Sequence, residues 1–286
     1  MKIVKDVAEM QRTADEIRRS GKRLGLVPTM GYLHEGHMSL VDEARKNADV
    51  VAISIYVNPT QFAPNEDLSS YPRDFARDEK LAETRGVDII FAPSDSVMYP
   101  HKQLAFVEIE EVSRVLEGEF RPTHFKGVAS VVAKLFNIVK PHMAVFGQKD
   151  AQQAFIIRKM VSDLNFDVNI VLAPIVREED GLALSSRNIY LSEDERKKAT
   201  VLYRSLKLAR KAVGDNERNL ARVRSEMLEL IASQSTGKVD YIDFVDPDTF
   251  SKVEDVGSLE RVLALLAVRF GRTRLIDNMI LETRPK

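Results

Sequence analysis

Residues 49–57, Asp-Val-Val-Ala-Ile-Ser-Ile-Tyr-Val, constrain the fold of this chain most. The run is β-branched and almost wholly apolar, the composition of a strand in a sheet covered on both faces. Further short apolar runs stand at 24–27, 87–92, 143–146 and 168–173. Between them lie segments of helical pattern. Residues 4–20 place Val7, Met10, Ala14 and Ile17 on one stripe. Residues 39–48 carry Leu40, Val41 and Ala44 at helical spacing, residues 74–85 end at Gly86, and a helix of Val128, Val131, Val132, Leu135, Phe136 and Val139 follows the basic loop 120–127. Residues 151–164 predict one more. Strand alternating with helix predicts an α/β fold with a mostly parallel, Rossmann-like sheet. Residues 104–110 predict an additional short strand.

The pattern changes near residue 177. Ser192 and Glu195 spell a Ser-x-x-Glu capping box. Amphipathic helices are expected over 193–213 and 220–234, then strands over 239–245, 261–269 and 273–282, the last two joined through Gly271 as a hairpin. The chain therefore divides into a Rossmann-like domain, 1–176, and a smaller α+β C-terminal domain, 177–286, that covers the cleft. Residues 177–188 form the hinge, and a cleft between domains is a usual place for a ligand.

At 286 residues the chain can bury a sizeable core. Its net charge of −1 with 30% charged residues argues against nucleic acid or an anionic membrane as a bulk partner. The absence of cysteine removes disulfides, thiol catalysis and thiolate metal sites. No run approaches a membrane span, and residues 1–14 are charged throughout without an apolar signal core, so a cytoplasmic location is expected.

Candidate functional residues gather where strands end. After the apolar run 24–27 comes Pro28-Thr29-Met30-Gly31-Tyr32-Leu33-His34-Glu35-Gly36-His37. In an open parallel sheet, ligands bind outside the carboxyl ends of the strands. The helix start that follows offers N–H groups and a positive dipole end to phosphate. His34 and His37, three apart, project from one face. Gly36 between them, and Gly31 on the loop side, let backbone approach a ligand closely. Two imidazoles can follow negative charge as it moves among phosphate oxygens.

Asn58 and Gln61 end the run 49–57. Their amides donate and accept, which suits a ligand with hydroxyl and carboxylate groups, although for Asn58 ordinary turn chemistry is an equal alternative. Gly147-Gln148-Lys149-Asp150 repeats the strand–glycine–helix logic. Lys149 is a point charge for phosphate, Asp150 caps the helix or accepts a ribose hydroxyl, Gln153 faces the same way, and Gln152 points elsewhere. Arg121 and Lys126 are candidates to face a phosphate across the cleft, with plain surface exposure the equal alternative. Asp74, Asp78 and Glu79 share one helical side and read as a solvated acidic face rather than a site for hydrated magnesium. Residues 65–73 form a polar, irregular loop expected to be mobile over the site. Ser185-Ser186-Arg187-Asn188 make a flexible, phosphate-friendly loop.

Taken together, these residues carry a resemblance. His34-x-Gly36-His37 after a strand, with a Ser-Ser-Arg loop after the last one, resembles the nucleotidylyltransferase superfamily with its HxGH and KMSKS-type elements. Within it the chain is similar to the pantoate–β-alanine ligase (pantothenate synthetase) family. The similarity runs in order through 28–37, Val57-Asn58-Pro59-Thr60-Gln61-Phe62, Phe146 to Asp150 with Gln152-Gln153, and Ser185 to Asn188. The resemblance implies that ATP, pantoate and β-alanine give pantothenate, AMP and pyrophosphate through an enzyme-bound pantoyl adenylate. It implies that ATP is held by Met30, Gly31, Tyr32, Leu33, His34, Glu35, Gly36 and His37, by Gly147, Gln148, Lys149 and Asp150, and by Val176, Leu184, Ser185, Ser186 and Arg187. Leu184 stands where the family often has Met, an apolar exchange of similar volume. Gln61 and Gln153, with Asn58, would hold pantoate and β-alanine, and His37 takes the proton-donor position. The resemblance further implies magnesium, with no ligands assigned, and a homodimer.

The chemistry agrees with the residue types. Attack of a carboxylate on the α-phosphate needs hydrogen-bond donors and positive charge rather than a protein nucleophile, and His34, His37, Lys149, Ser185 and Arg187 supply them. A nucleotidylyltransferase that releases pyrophosphate only, and a non-catalytic nucleotide-binding protein, are the alternatives.

Overall fold

The computed structural model describes residues 1–64 and 66–283. Asn65, the first residue of the expected loop 65–73, and residues 284–286 of the expected C-terminal domain lie outside the described residues. By its contacts the chain forms two compact units, residues 1–148 with 152–174, and residues 149–151 with the segment from Ile175 onward.

In the first unit the short apolar runs pair side by side. The strands are β1 (Lys2–Val4), β2 (Leu24–Thr29), β3 (Val50–Ile55), β4 (Ile89–Phe91), β5 (Met143–Gly147) and β6 (Asn169–Ala173). They form one sheet in the order β1-β4-β3-β2-β5-β6, every pairing parallel. Successive side chains leave opposite faces of a strand. Accordingly Leu24, Leu26 and Ala52 join one buried cluster, and Val27, Val51 and Ile53 join the other. Both faces are covered, as the composition of residues 49–57 requires.

The helices of this unit are α1 (Val7–Arg19), α2 (Glu35–Arg45), α3 (Phe75–Thr84), α4 (Asp95–Met98), α5 (Glu117–Phe120), α6 (His124–Val139) and α7 (Ala151–Asp163). α6 is buried along nearly its whole length. The helix expected over 4–20 begins at Val7, because Asp6 caps it by accepting the Glu9 N–H at 2.8 Å and Lys2–Val4 is the edge strand β1. Residues 104–110 form no strand. Leu104 is 83% exposed and Phe106 48%, while Val107 and Ile109 pack against the core without pairing in the sheet.

β2 lies between β3, which follows it in sequence, and β5, which comes much later. The chain leaves the two neighbouring strands β2 and β5 toward different parts of the sheet. This is the topological switch point at which open α/β sheets bind ligands. The segments leaving β2 and β5 are those that carry His34, His37 and Gly147.

The second unit contains α8 (Glu193–Ala199), α9 (Val201–Gly214), α10 (Leu220–Gln234), β7 (Lys238–Val245), β8 (Arg261–Phe270) and β9 (Thr273–Glu282). The strands form an antiparallel sheet in the order β7-β8-β9, with Gly271 at φ 55° in the tight β8–β9 turn. The Ser192–Glu195 capping box is present. The single helix expected over 193–213 is instead two, divided at Thr200, which ends α8 and begins α9. Leu202, Leu206, Met227, Phe244, Leu266 and Phe270 share this unit's own core.

Candidate active site

The turn leaving β2 contains two consecutive left-handed residues, Gly31 at φ 81° and Tyr32 at φ 48°. For Tyr32 this conformation costs about 1–2 kcal/mol. The cost is offset from α3. The Asp78 carboxylate accepts the N–H of Tyr32 and that of Leu33, each at 2.7 Å. Hydrogen bonds to a charged group contribute about 1.5–3 kcal/mol each, so the pair outweighs the strain. Arg77 adds its guanidinium over the Tyr32 ring, 4.8 Å from the centroid. A Cβ on Gly31 would come within 3.0 Å of Asp78 Oδ2, so glycine is required there.

Asp78 therefore corrects the reading of a solvated acidic face. It is 1% exposed, and burial pushes its carboxyl above the usual range even though the two N–H groups pull the other way. Asp74 is likewise engaged, capping α3 through the Arg77 N–H at 3.1 Å. One signal was available in the sequence: Asp78 stands one turn before Ala82, on the covered side of α3.

α2 begins at Glu35, four residues before the expected start, because the histidines cap it. His34 Nδ1 accepts the Gly36 N–H at 3.1 Å, and His37 Nδ1 accepts the His34 N–H at 3.3 Å. This is a reciprocal capping box built from two imidazoles. A neutral ring that accepts at Nδ1 carries its proton on Nε2. The two rings lie 4.1 Å apart, tilted by 38°. The expected phosphate cradle of backbone N–H groups is thus partly used internally: Tyr32 and Leu33 donate to Asp78, and Gly36 donates to His34. The donors of this turn are mainly side chains.

The other candidates of the stretch are placed as follows. The Glu35 side chain is exposed and pairs with Arg85. Leu33 is fully buried, and Met30 is half-buried with its sulfur 2.9 Å from Gln61 Nε2. That contact joins the turn after β2 to the amides after β3. Gln61, 7% exposed, ends the 3₁₀ turn Pro59–Gln61, and Asn58, 1% exposed, caps it. Gly147 ends β5, Gln148 enters a 3₁₀ turn, and Gln153 lies half-buried on α7. Gln152 is buried and structural, donating to Val112 O and Val115 O and accepting the Glu117 N–H.

Arg121 and Lys126 are each paired with a carboxylate. Arg121 makes two 2.7 Å bonds to Glu66 and lies 3.1 Å from His124 Nε2, while Lys126 pairs with Glu108 at 3.3 Å. Burial would raise the Glu66 carboxyl, but the Arg121 guanidinium outweighs it and holds the group below the usual range.

In the second unit Lys149 lies 3.6 Å from Asp150, and its backbone carbonyl accepts Asn278 Nδ2–H at 2.9 Å. The expected hinge, residues 177–188, carries local pairing of its own. The Leu184 N–H donates to Val176 O at 3.0 Å, Arg177 bridges Ala183, and Gly181 turns at φ 95° where a Cβ would strike the Tyr203 ring. Arg177 makes bonds of 2.6 and 2.9 Å to Asp277, which is buried, and burial outweighs this cation to push the Asp277 carboxyl up. Ser185 Oγ accepts the Arg187 N–H at 3.3 Å, capping the 3₁₀ turn Ser186–Tyr190.

Among the described residues no group of three or more His, Asp or Glu is arranged to hold a metal ion. No helix among them is long and apolar enough to cross a membrane.

A model of the pantoate-β-alanine ligase family matches residues 2–280. A pantothenate synthetase of Chloroherpeton thalassium is 54% identical over 283 residues, which is 99% of this chain and 100% of that protein. The crystal structure of the pantothenate synthetase from Thermus thermophilus superposes with a TM-score of 0.91 at 44% identity, covering 98% of this chain and 99% of that one. The Francisella tularensis pantoate-β-alanine ligase, crystallised with β-γ ATP and β-alanine, gives a TM-score of 0.80 at 33% identity over the full length of both chains.

Proposed function

The chain belongs to the pantoate–β-alanine ligase family, and from that membership and the donor set of the site we infer that it joins pantoate to β-alanine in an ATP-dependent reaction. The pantoate carboxylate attacks the α-phosphate of ATP, giving pantoyl adenylate and pyrophosphate. The β-alanine amine then displaces AMP and forms the amide of pantothenate. One observation supports the assignment of roles: the His34–His37 box starts α2 directly after the turn whose Met30 contacts Gln61.

In this reading His34 and His37 stabilise the charge that develops as the carboxylate attacks. Lys149, Ser185 and Arg187 take the remaining phosphate charge. ATP lies along Met30 to His37 and Gly147 to Asp150, and Val176 and Leu184 to Arg187 complete its site. Gln61 and Gln153, with Asn58 behind them, hold pantoate, and Gln61 also borders β-alanine. Their contribution is to set the carboxylate against the α-phosphate.

Magnesium finds no protein cage among the described residues. Asp78 and Asp74, the nearest candidates by sequence, are committed to backbone N–H groups. The ion is proposed to arrive on the phosphates of ATP, as magnesium commonly does. A homodimer in the cytoplasm, with no nucleic acid or membrane partner, completes the proposal.

Product analysis tests it. The protein is incubated with ATP, magnesium and pantoate, with and without β-alanine, and AMP, pyrophosphate and pantothenate are followed. AMP and pantothenate should appear together and only when β-alanine is present. Pyrophosphate released in repeated turnovers without AMP would point to a plain nucleotidylyltransferase. ATP binding with no turnover would point to a nucleotide-binding protein.

A further inference from the structure

Behind Gln61 stands a directed chain of hydrogen bonds. Tyr99 Oη donates to Asn58 Oδ1 at 2.8 Å. The same oxygen accepts Thr60 Oγ1–H at 3.1 Å and the Thr60 N–H at 3.4 Å. Asn58 Nδ2 in turn donates to Gln61 Oε1 and to the Gly127 carbonyl, each at 3.2 Å. A backbone N–H and a backbone carbonyl can each act in one sense only. Thr60 N–H and Gly127 O therefore fix which end of the Asn58 amide is oxygen. With Asn58 Nδ2–H aimed at it, Gln61 must turn its oxygen inward and its NH2 outward. That NH2 meets the sulfur of Met30, a weak acceptor.

The backbone around Gln61 is held just as closely. His124 Nδ1 lies 3.0 Å from Gln61 O, and a Cβ on Gly127 would strike Thr60 O and fall 2.6 Å from Gln61 N. Tyr99 is itself fixed by Tyr56, with ring centroids 6.5 Å apart, and by Lys134, 4.9 Å over its face.

We propose that Tyr99 is a positioning residue for the ligase reaction, holding the oriented Asn58 amide in the place from which it keeps Gln61 a hydrogen-bond donor toward an oxygen of pantoate. The proposal rests on the assignment of Gln61 to pantoate. A donor-locked amide selects a ligand that offers an acceptor, a carboxylate or hydroxyl oxygen, which displaces the Met30 sulfur. Burial pushes the Tyr99 hydroxyl above its ordinary pKa, so it remains a donor across the working range of pH.

The test is a double-mutant cycle in the full-length enzyme, with KM for each substrate, kcat and melting temperature measured for Tyr99→Phe, Gln61→Ala and the pair. Phenylalanine keeps the ring and its stacking neighbours and removes only the hydroxyl. Tyr99→Phe should raise KM for pantoate about three- to tenfold, the worth of one hydrogen bond, and leave KM for ATP unchanged. In the Gln61→Ala background the same change should alter KM for pantoate by less than about twofold, because its route of action is gone. The relay is overturned if Tyr99→Phe leaves KM for pantoate unchanged whatever the melting temperature does, raises both KM values equally, or acts additively with Gln61→Ala. Those outcomes leave the Gln61 assignment standing. If Gln61→Ala itself leaves KM for pantoate unchanged, the substrate assignment falls and the relay falls with it.

Discussion

In His37 the two ring nitrogens are separated in role. Nδ1 accepts the His34 N–H and closes the first turn of α2, while Nε2 carries the proton. Removing the ring therefore removes a cap and a donor together, and alanine alone cannot say which mattered. Asparagine can. Its side-chain oxygen stands close to where Nδ1 stood and can accept the same His34 N–H. His37→Asn should keep the melting temperature near that of the parent and slow adenylate formation about 10²- to 10³-fold, the usual effect of deleting one donor to a developing oxyanion. His37→Ala should show the same loss of rate together with a loss of about 0.5–1.5 kcal/mol of stability, the net worth of one hydrogen bond. Rapid-quench measurement of pyrophosphate release, paired with thermal melts, checks both. An asparagine variant at near-parental rate would remove Nε2 from the chemistry.

At the scale of elements, the chain was most legible where a segment is uniformly apolar. Residues 49–57, 24–27 and 143–146 gave β3, β2 and β5 because strands covered on both faces have no polar side to confuse. Elements with weaker composition were lost or moved. β1 has three residues, too few to show a pattern. α2 starts early because histidine is not among the usual capping residues. Residues 104–110 imitated a strand with apolar side chains such as Leu104 and Phe106 that remain exposed. Asp78 was misread because helical spacing says which residues share a face and not whether that face is covered. The segment after the 3₁₀ turn Pro59–Gln61 illustrates the same limit: its polarity predicted a loop, but not the Glu66–Arg121 pair that pins it. That pair has a definite pH dependence. The folded-state pKa of Glu66 is depressed below its ordinary value of 4.5, so its stabilising contribution is fully present above that value and is lost as pH falls through the folded pKa. Hydrogen exchange in residues 66–73, corrected for intrinsic rates, should accelerate as pH drops below the ordinary carboxylate range. Glu66→Gln should show the faster exchange already at neutral pH and lose the pH response. Equal protection in both proteins at neutral pH would mean that Arg121 does not hold the segment.

At the scale of the whole molecule, one strand of the second unit gathers two candidate ATP segments. β9 supplies Asp277 to Arg177, which leads into residues 184–187, and Asn278 to the carbonyl of Lys149. Lys149 to Ala151 belong by contact to this unit although residues 148 and 152 belong to the first. The Asp277–Arg177 pair is buried, with side-chain exposures of 1% and 16%. Deleting one member of such a pair leaves the other charge uncompensated and costs about 3–5 kcal/mol, whereas replacing both with apolar residues is often neutral or better. Each unit has its own core, so the damage should be local. In calorimetry Asp277→Ala should bring out an early transition for the second unit while the first melts near the parental temperature. The double variant Asp277→Leu with Arg177→Met should recover most of the lost stability, yet not the KM for ATP, because the hairpin of residues 177–183 would no longer be anchored to β9. A single transition moving as a whole would mean that the two cores melt as one. A double variant with parental KM for ATP would mean that the pair holds the fold of the unit and not the geometry of the ATP site.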